Sequence, residues 1–475
     1  MMMKSWLLAT LYGAANAVLP ITSTGNHLYV VNEDYTKLGS EFYIVGVDYQ
    51  PGGSSAFQLN GQSDVLSDPE ICMRDAYVLQ QLGVNTIRVY SISPWLNHDQ
   101  CMTIFNNAGI YVILDVNNPF VSLQRTNTSE SYNSGLLNQA FGIIDAFKYY
   151  PNTLGFFSGN EIVNDGPSAE EVPPYIRAFQ RDLKQYIGLH ANRTIPVGYS
   201  AADELVLRTA MWEYLQCGDD ISKSDFYGIN SYQWCSGNTD FASSGYQSLN
   251  DTFRYSSIPI IFSEYGCNIN LPRTFDEVTQ GVYAPDGLLY TVQGGLVYEY
   301  SQESNNYGLV SIGSDGTVTY LQDFVNLQKE YSQITLPNTP QPSSADYSGP
   351  TCDASLIQNL TTPFNWTMDL PACPDSDLLK NGGGNNNVGR LVDVSNVAVK
   401  YNVVNLGGTT ISASPVFSSQ YQTNYQYNVP QSASATGASS TSSSSSSSSS
   451  KSKNAAAPSG AGIAGSFWSL LMLFV

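Results

Sequence analysis

Leu154-Gly155-Phe156-Phe157-Ser158-Gly159-Asn160-Glu161 is an apolar run that ends abruptly in an amide and a carboxylate. Seven other stretches repeat its form: Phe42–Tyr49, Thr86–Tyr90, Tyr111–Val116, Ile195–Ser200, Phe226–Tyr232, Ile258–Glu264 and Gly295–Tyr300. Near-continuous, β-branched apolar runs belong to strands buried on both faces, as in a parallel sheet. Between them Asp68–Leu82 and Val172–Leu189 show helical periodicity, and most other gaps are long enough for a crossover helix. Eight strands alternating with helices over residues 18–336 predict an α/β fold, the (β/α)8 TIM barrel, with functional residues gathered at the C-terminal strand ends. A doubly wound open sheet is the competing arrangement, but no glycine-rich phosphate loop follows the first run.

The polar endings carry the chemistry. Glu161 closes the fourth run and Glu264 the seventh, and strands four and seven of such a barrel face each other across its mouth. Two carboxylates about 5 Å apart suit retaining glycoside chemistry, one protonating the leaving oxygen while the other attacks the anomeric carbon. Singly, each glutamate reads as a strand-end residue in a surface salt bridge. As a pair, in Asn160-Glu161 and Ser263-Glu264-Tyr265-Gly266, they read as an active site.

The chain ends and the composition point to secretion. Residues 1–17 carry Lys4, a short apolar core and Ala15-Asn16-Ala17, the pattern of a cleaved signal peptide rather than a buried helix. Residues 454–475 combine small residues, a spacer and a terminal apolar tail, the signature of a glycosylphosphatidylinositol (GPI) signal. Asn454 is the preferred attachment site, Ser459 and Gly460 are alternatives, and a tail-anchored helix is the rival reading. Five N-x-S/T sequons, at Asn127, Asn192, Asn250, Asn359 and Asn365, are candidate glycan sites, and seven cysteines suit an oxidising compartment. A net charge of −20 argues against nucleic acid as a partner. Three scattered histidines and the absence of C-x-x-C spacing leave no metal site to expect, and no cofactor is expected either.

After the barrel the character changes. Residues 337–375 read as a Pro/Ser linker followed by a cysteine-bearing segment that folds back. Residues 376–430 are an extension to which no fold can be assigned. Residues 431–453 form a serine-rich stalk that cannot bury a core.

Tyr49-Gln50-Pro51-Gly52-Gly53, Asn85–Tyr90, Gly159-Asn160-Glu161, Asn230–Cys235, Phe262–Cys267 and Gly294–Tyr300 together resemble the fungal β-1,3-glucanosyltransferases, glycoside hydrolase family 72. The resemblance covers about Phe42 to Tyr331 and extends weakly to Cys373. It implies cleavage of a β-1,3-glucan donor chain and transfer of the new reducing end to a glucan acceptor, with Glu161 as acid/base and Glu264 as nucleophile. It further implies that Asn160 bonds the sugar 2-hydroxyl, that Tyr90 and Tyr298 contact the donor, and that Tyr232 stands near the nucleophile. Gln50 and Asp115 would lie at neighbouring strand ends, Arg88 would hold Glu264 ionised, and Asp203 with Arg208 would serve the acceptor.

Each of these has a plainer reading: Tyr90 and Tyr298 as core aromatics, Arg88 as a structural ion pair, Asp203 as a helix N-cap. Implied disulfides are Cys72–Cys101, Cys217–Cys352 and Cys235–Cys267, leaving Cys373 as an odd thiol open to an intermolecular bond in an otherwise monomeric protein. The cysteine-rich carbohydrate-binding module of the longer subgroup is missing, which places the chain in the shorter one. Transfer is favoured only by the resemblance. A hydrolytic endo-β-1,3-glucanase and a catalytically idle glucan-binding wall protein remain the alternatives.

Overall fold

The structure, a computed structural model, describes residues 18–32, 36–237, 239–337, 349–383 and 385–418. The signal peptide, the serine tract, Asn454 and the apolar tail lie outside the described residues. All eight runs become parallel strands, Ile44–Asp48, Thr86–Val89, Tyr111–Asp115, Thr153–Asn160, Val197–Ala202, Phe226–Cys235, Ile260–Cys267 and Gly294–Val297. The eighth pairs with the first, Gly294 opposite Ile44 and Val297 opposite Val47, and the barrel closes. Both periodic segments are helices, Pro69–Leu82 and Pro173–His190. Asp68 caps the first by accepting from the backbone N–H groups of Glu70 and Ile71, and Gly83, in the left-handed region at φ 88°, ends it.

Two apolar cores hold this frame. The larger lies between the strands and the outer helices. The smaller fills the bottom of the barrel, where Ile44, Ile113, Phe157, Ile261 and Leu296 meet Val18, Leu19, Ile21, Leu28 and Val30. The last five come from the segment around an antiparallel hairpin, Ile21–Thr24 with His27–Val31, that precedes the barrel. Tyr111 fixes this plug by donating to the carbonyl of Leu19 at 2.6 Å. The base of the barrel is thereby sealed, and the polar strand ends are left at the opposite mouth.

The described residues after the barrel form no separate domain. Cys352 is bonded to Cys217, and the Tyr214 hydroxyl donates to the Thr367 carbonyl. The chain then travels backwards around the outer helices: His190 meets the Leu379 carbonyl, Asn385 donates to the Pro94 carbonyl, and the Val392 amide donates to Thr103. Gln80 holds Val416 through both its amide N–H and its carbonyl. The extension left without a fold supplies two short strands, Val403–Val404 and Thr410–Ile411, which join Val310–Ile312 and Val318–Tyr320 in a four-stranded sheet.

All three implied disulfides form, and Cys373 is unbridged with its thiol beside Asp182. Of the sequons, Asn127, Asn192 and Asn359 are exposed, whereas Asn250 and Asn365 are half-buried.

Glu277, just before the turn Val278–Val282, is 1% exposed and leaves its Oε2 without a partner. Burial pushes its carboxyl up to about 8. A carboxyl raised on folding adds stability at pH values below its unfolded pKa and loses that contribution as pH climbs towards the folded value. Glu277→Gln should therefore stabilise the protein by about 1–3 kcal/mol at pH 8 and give no gain at pH 4, as read from urea unfolding at both pH values.

Candidate active site

The barrel mouth is floored by polar side chains from seven strands. At its centre is Arg88, fully buried. Its Nε and Nη2 each reach an Asp115 oxygen at 3.0 Å, Nη2 also donates to Asn160 Oδ1 at 3.0 Å, and Nη1 reaches Glu264 Oε1 at 3.3 Å. The guanidinium lies over the Tyr90 and Phe157 rings at 4.3 and 4.5 Å. One cation thus ties strands two, three, four and seven together.

Asn230 makes the second tie. Its amide nitrogen donates to Glu161 Oε1 at 2.9 Å and to Asn160 Oδ1 at 3.1 Å, while its own Oδ1 faces the hydroxyls of Ser200 and Ser263. Gly228 lies two residues earlier on the same strand, and a Cβ there would stand 2.6 Å from the Ser263 hydroxyl, so only glycine allows this close approach. Strands four and seven are irregular where they deliver their glutamates: the pairing register shifts between Phe157 and Asn160, and between Phe262 and Glu264. Such shifts re-aim side chains. Glu161 itself has a left-handed backbone, φ 48°, unusual for a residue with a Cβ.

Glu264 receives three donors: Tyr232 at 2.7 Å, Tyr90 at 2.9 Å and Arg88. Glu161 has Asn230 alone among the described residues. Burial raises both carboxyls, Glu264 to about 7 even against the pull of Arg88. Arg88 does pull the Glu264 carboxyl down, as expected, but it does not hold it below the ordinary carboxylate value, and on that point the expectation is corrected. The guanidinium is already spent on Asp115 and Asn160, and desolvation outweighs its remaining attraction.

Tyr90, Tyr232 and Tyr298 are half-buried and open to the mouth, so they are not core aromatics. They stand edge to face, Tyr298 with its ring centre 6.5 Å from Tyr90 and 6.4 Å from Tyr232, and Tyr307, missed by the sequence reading, completes the wall at 5.2 Å from Tyr298. Gln50 uses its carbonyl to accept from the Tyr90 and Ser91 amides. Asp115 stands at its strand end as expected, but as a substrate-binding residue it is ruled out by burial. It is 1% exposed, with both oxygens on Arg88, and Arg88 is equally closed to a ligand. Arg88 acts on Glu264 directly, and Asp115 acts through Arg88.

Asp203 is not a helix N-cap, since the helix Arg208–Gln216 begins after Leu207 without a side-chain cap. It accepts instead from Arg208 at 2.5 Å, from Ser231 at 2.9 Å and from Gln233. This joins the loop after strand five to the C-terminal half of strand six.

Over residues 11–335 the chain matches Glyco_hydro_72, the glucanosyltransferase family. It is 51% identical over 381 residues to the Saccharomyces cerevisiae protein named "Probable 1,3-beta-glucanosyltransferase GAS3", covering 76% of this chain and 72% of that one. It is 46% identical over 417 residues to the 1,3-beta-glucanosyltransferase gel2 of Aspergillus fumigatus, covering 84% and 82%. Among solved structures, a mutant of Saccharomyces cerevisiae Gas2p in complex with laminaritetraose and laminaripentaose is 36% identical, with a TM-score of 0.65 and 76% of each chain covered. With the sequence motifs, the closed barrel and these likenesses agreeing, the chain belongs to the glucanosyltransferases of glycoside hydrolase family 72.

Proposed function

We propose that this protein is a retaining β-1,3-glucanosyltransferase, which cuts a β-1,3-glucan chain and passes the new reducing end to a second glucan. The observation that carries the reading is the pair Glu161 and Glu264, brought to one mouth by the shared ties of Asn160, Asn230 and Arg88. Glu161, which has fewer donors to favour its charged form than Glu264, gives a proton to the leaving oxygen. Glu264, turned towards the anomeric carbon by Tyr90, Tyr232 and Arg88, attacks and forms the glycosyl-enzyme. Glu161, now a carboxylate, takes the proton of the incoming hydroxyl. The Oδ1 of Asn160 is held from three sides by Arg88, Asn230 and Ser200, which leaves its amide nitrogen to donate to a sugar hydroxyl such as the 2-OH.

Transfer wins over hydrolysis when the acceptor site holds a sugar where water would otherwise attack. The Asp203–Arg208 pair, with Ser231 and Gln233, serves that site beside strands five and six. The donor lies against Tyr90, Tyr298 and Gln50. The enzyme works as a monomer outside the fungal cell, tethered to the outer face of the plasma membrane through a GPI lipid at Asn454 and raised by its serine stalk. Cys373 remains the one thiol open to an intermolecular bond.

Incubation with a reduced β-1,3-gluco-oligosaccharide should give products both shorter and longer than the substrate, and Glu161→Gln and Glu264→Gln should abolish both. Shorter products alone identify a hydrolase, and no products from the folded protein identify a binding protein. Tyr232→Phe removes a donor that favours the Glu264 carboxylate, so its pKa rises. The acid limb of kcat/KM should then move to higher pH, with kcat/KM at the optimum falling about tenfold or more.

A further inference from the structure

Asp48 ends the first barrel strand directly beside Arg88, its register partner, and is fully buried. Neither of its carboxyl oxygens makes a hydrogen bond of ordinary geometry, and the Tyr90 hydroxyl, the donor within its influence, gives its proton to Glu264. It takes no part in the chemistry described above, yet it belongs to the same buried cluster. The titratable groups facing it are Arg88 from strand two, Tyr90 just after it, Asp115 from strand three, Tyr232 from strand six and Glu264 from strand seven. Tyr298, following strand eight, and Tyr331, from the helix Gln322–Tyr331, complete the set.

The cluster holds one cation against three carboxyls. Asp115 takes the Arg88 fork through two bonds and Glu264 takes a third. Arg88 has no N–H left for Asp48, and a buried carboxylate without a committed donor is far costlier than a buried carboxylic acid. Glu264 has three donors, so of the two carboxyls it is the one fitted to carry charge. We propose that Asp48 is a positioning residue held as a neutral acid, which carries the proton in this buried cluster and leaves the charge on the nucleophile. Burial and the Glu264 charge both raise Asp48, in line with this assignment.

Tyr90 has one hydroxyl proton, and it goes to Glu264 at 2.9 Å. An ionised Asp48 nearby would compete for that proton and add a second negative charge beside the nucleophile. As a neutral acid it does neither. The inference rests on Glu264 being the nucleophile, but its central observable, the protonation state of Asp48, is read without turnover.

The test uses infrared titration of the full chain labelled with 4-13C-aspartate. A protonated aspartate carbonyl band should persist at neutral pH in the wild type and be missing in Asp48→Asn. In Glu264→Gln the neighbouring charge is gone, so the band should titrate away about one pH unit or more lower. Kinetically, Asp48→Leu should lower kcat/KM about tenfold, mainly through kcat, and Asp48→Asn, neutral and equally polar, should lose markedly less. The proposal is overturned by an Asp48 already ionised at pH 6, by a band indifferent to Glu264→Gln, or by Asn and Leu variants equally impaired. Should Glu264→Gln retain glucan transfer, the nucleophile assignment fails while the infrared result still decides whether Asp48 carries the proton.

Discussion

The site depends on one buried cation. Arg88 is fully enclosed at the centre of the barrel mouth, and its guanidinium is bonded to Asp115, Asn160 and Glu264 at once. A charge in that position is tolerable only because each N–H direction meets an acceptor and two aromatic faces cover the plane. Losing any acceptor would leave part of the cation unpaired in a low-dielectric interior. The strands carrying those acceptors are therefore held in register by electrostatics as well as by their backbone ladder. This explains why the groups beneath the mouth are sequestered while the tyrosines above them stay open. The lower layer sets the charge and aim of the carboxylates, and the upper layer is free to meet sugar.

That arrangement separates the two glutamates by environment. Glu264 is 8% exposed and has three donors, while Glu161 has one donor and a strained backbone at the strand tip. Two carboxyls in different surroundings can divide the roles of acid and nucleophile, which is the general device by which one site runs both halves of a retaining reaction. The sealed base below and the tail wound around the outer helices brace the frame on which this division depends.

Much of this was legible in the chain itself. The eight strands announce themselves because each is buried on both faces and ends in a polar group, and Asp68 and Gly83 mark the bounds of the first long helix. Glu161 and Glu264 stand out by position alone. What sequence cannot supply is burial and competition. Arg88 reads as a cation near Glu264, but its prior commitment to Asp115 appears only in three dimensions. Asn230, Ser200 and Ser263 look like ordinary strand endings until the closed barrel turns them to one centre. The extension after Gly383 has no periodicity to betray it, because its backbone is held by side chains such as Gln80 and Thr103 that lie some 300 residues earlier. Asp48 is hidden for the same reason, since an aspartate at a strand end gives no sign of lacking partners.

The central claim is that Glu264 becomes covalently bonded to the sugar while Glu161 handles the proton. The most direct measurement is mass spectrometry of peptides from enzyme inactivated with a 2-fluoro β-1,3-glucosyl donor bearing an activated leaving group. The account predicts a glycosyl adduct on the peptide containing Glu264, formed also in Glu161→Gln because the leaving group needs no protonation, and absent in Glu264→Gln. An adduct on another residue, or complete turnover with no adduct at any carboxylate, would contradict it.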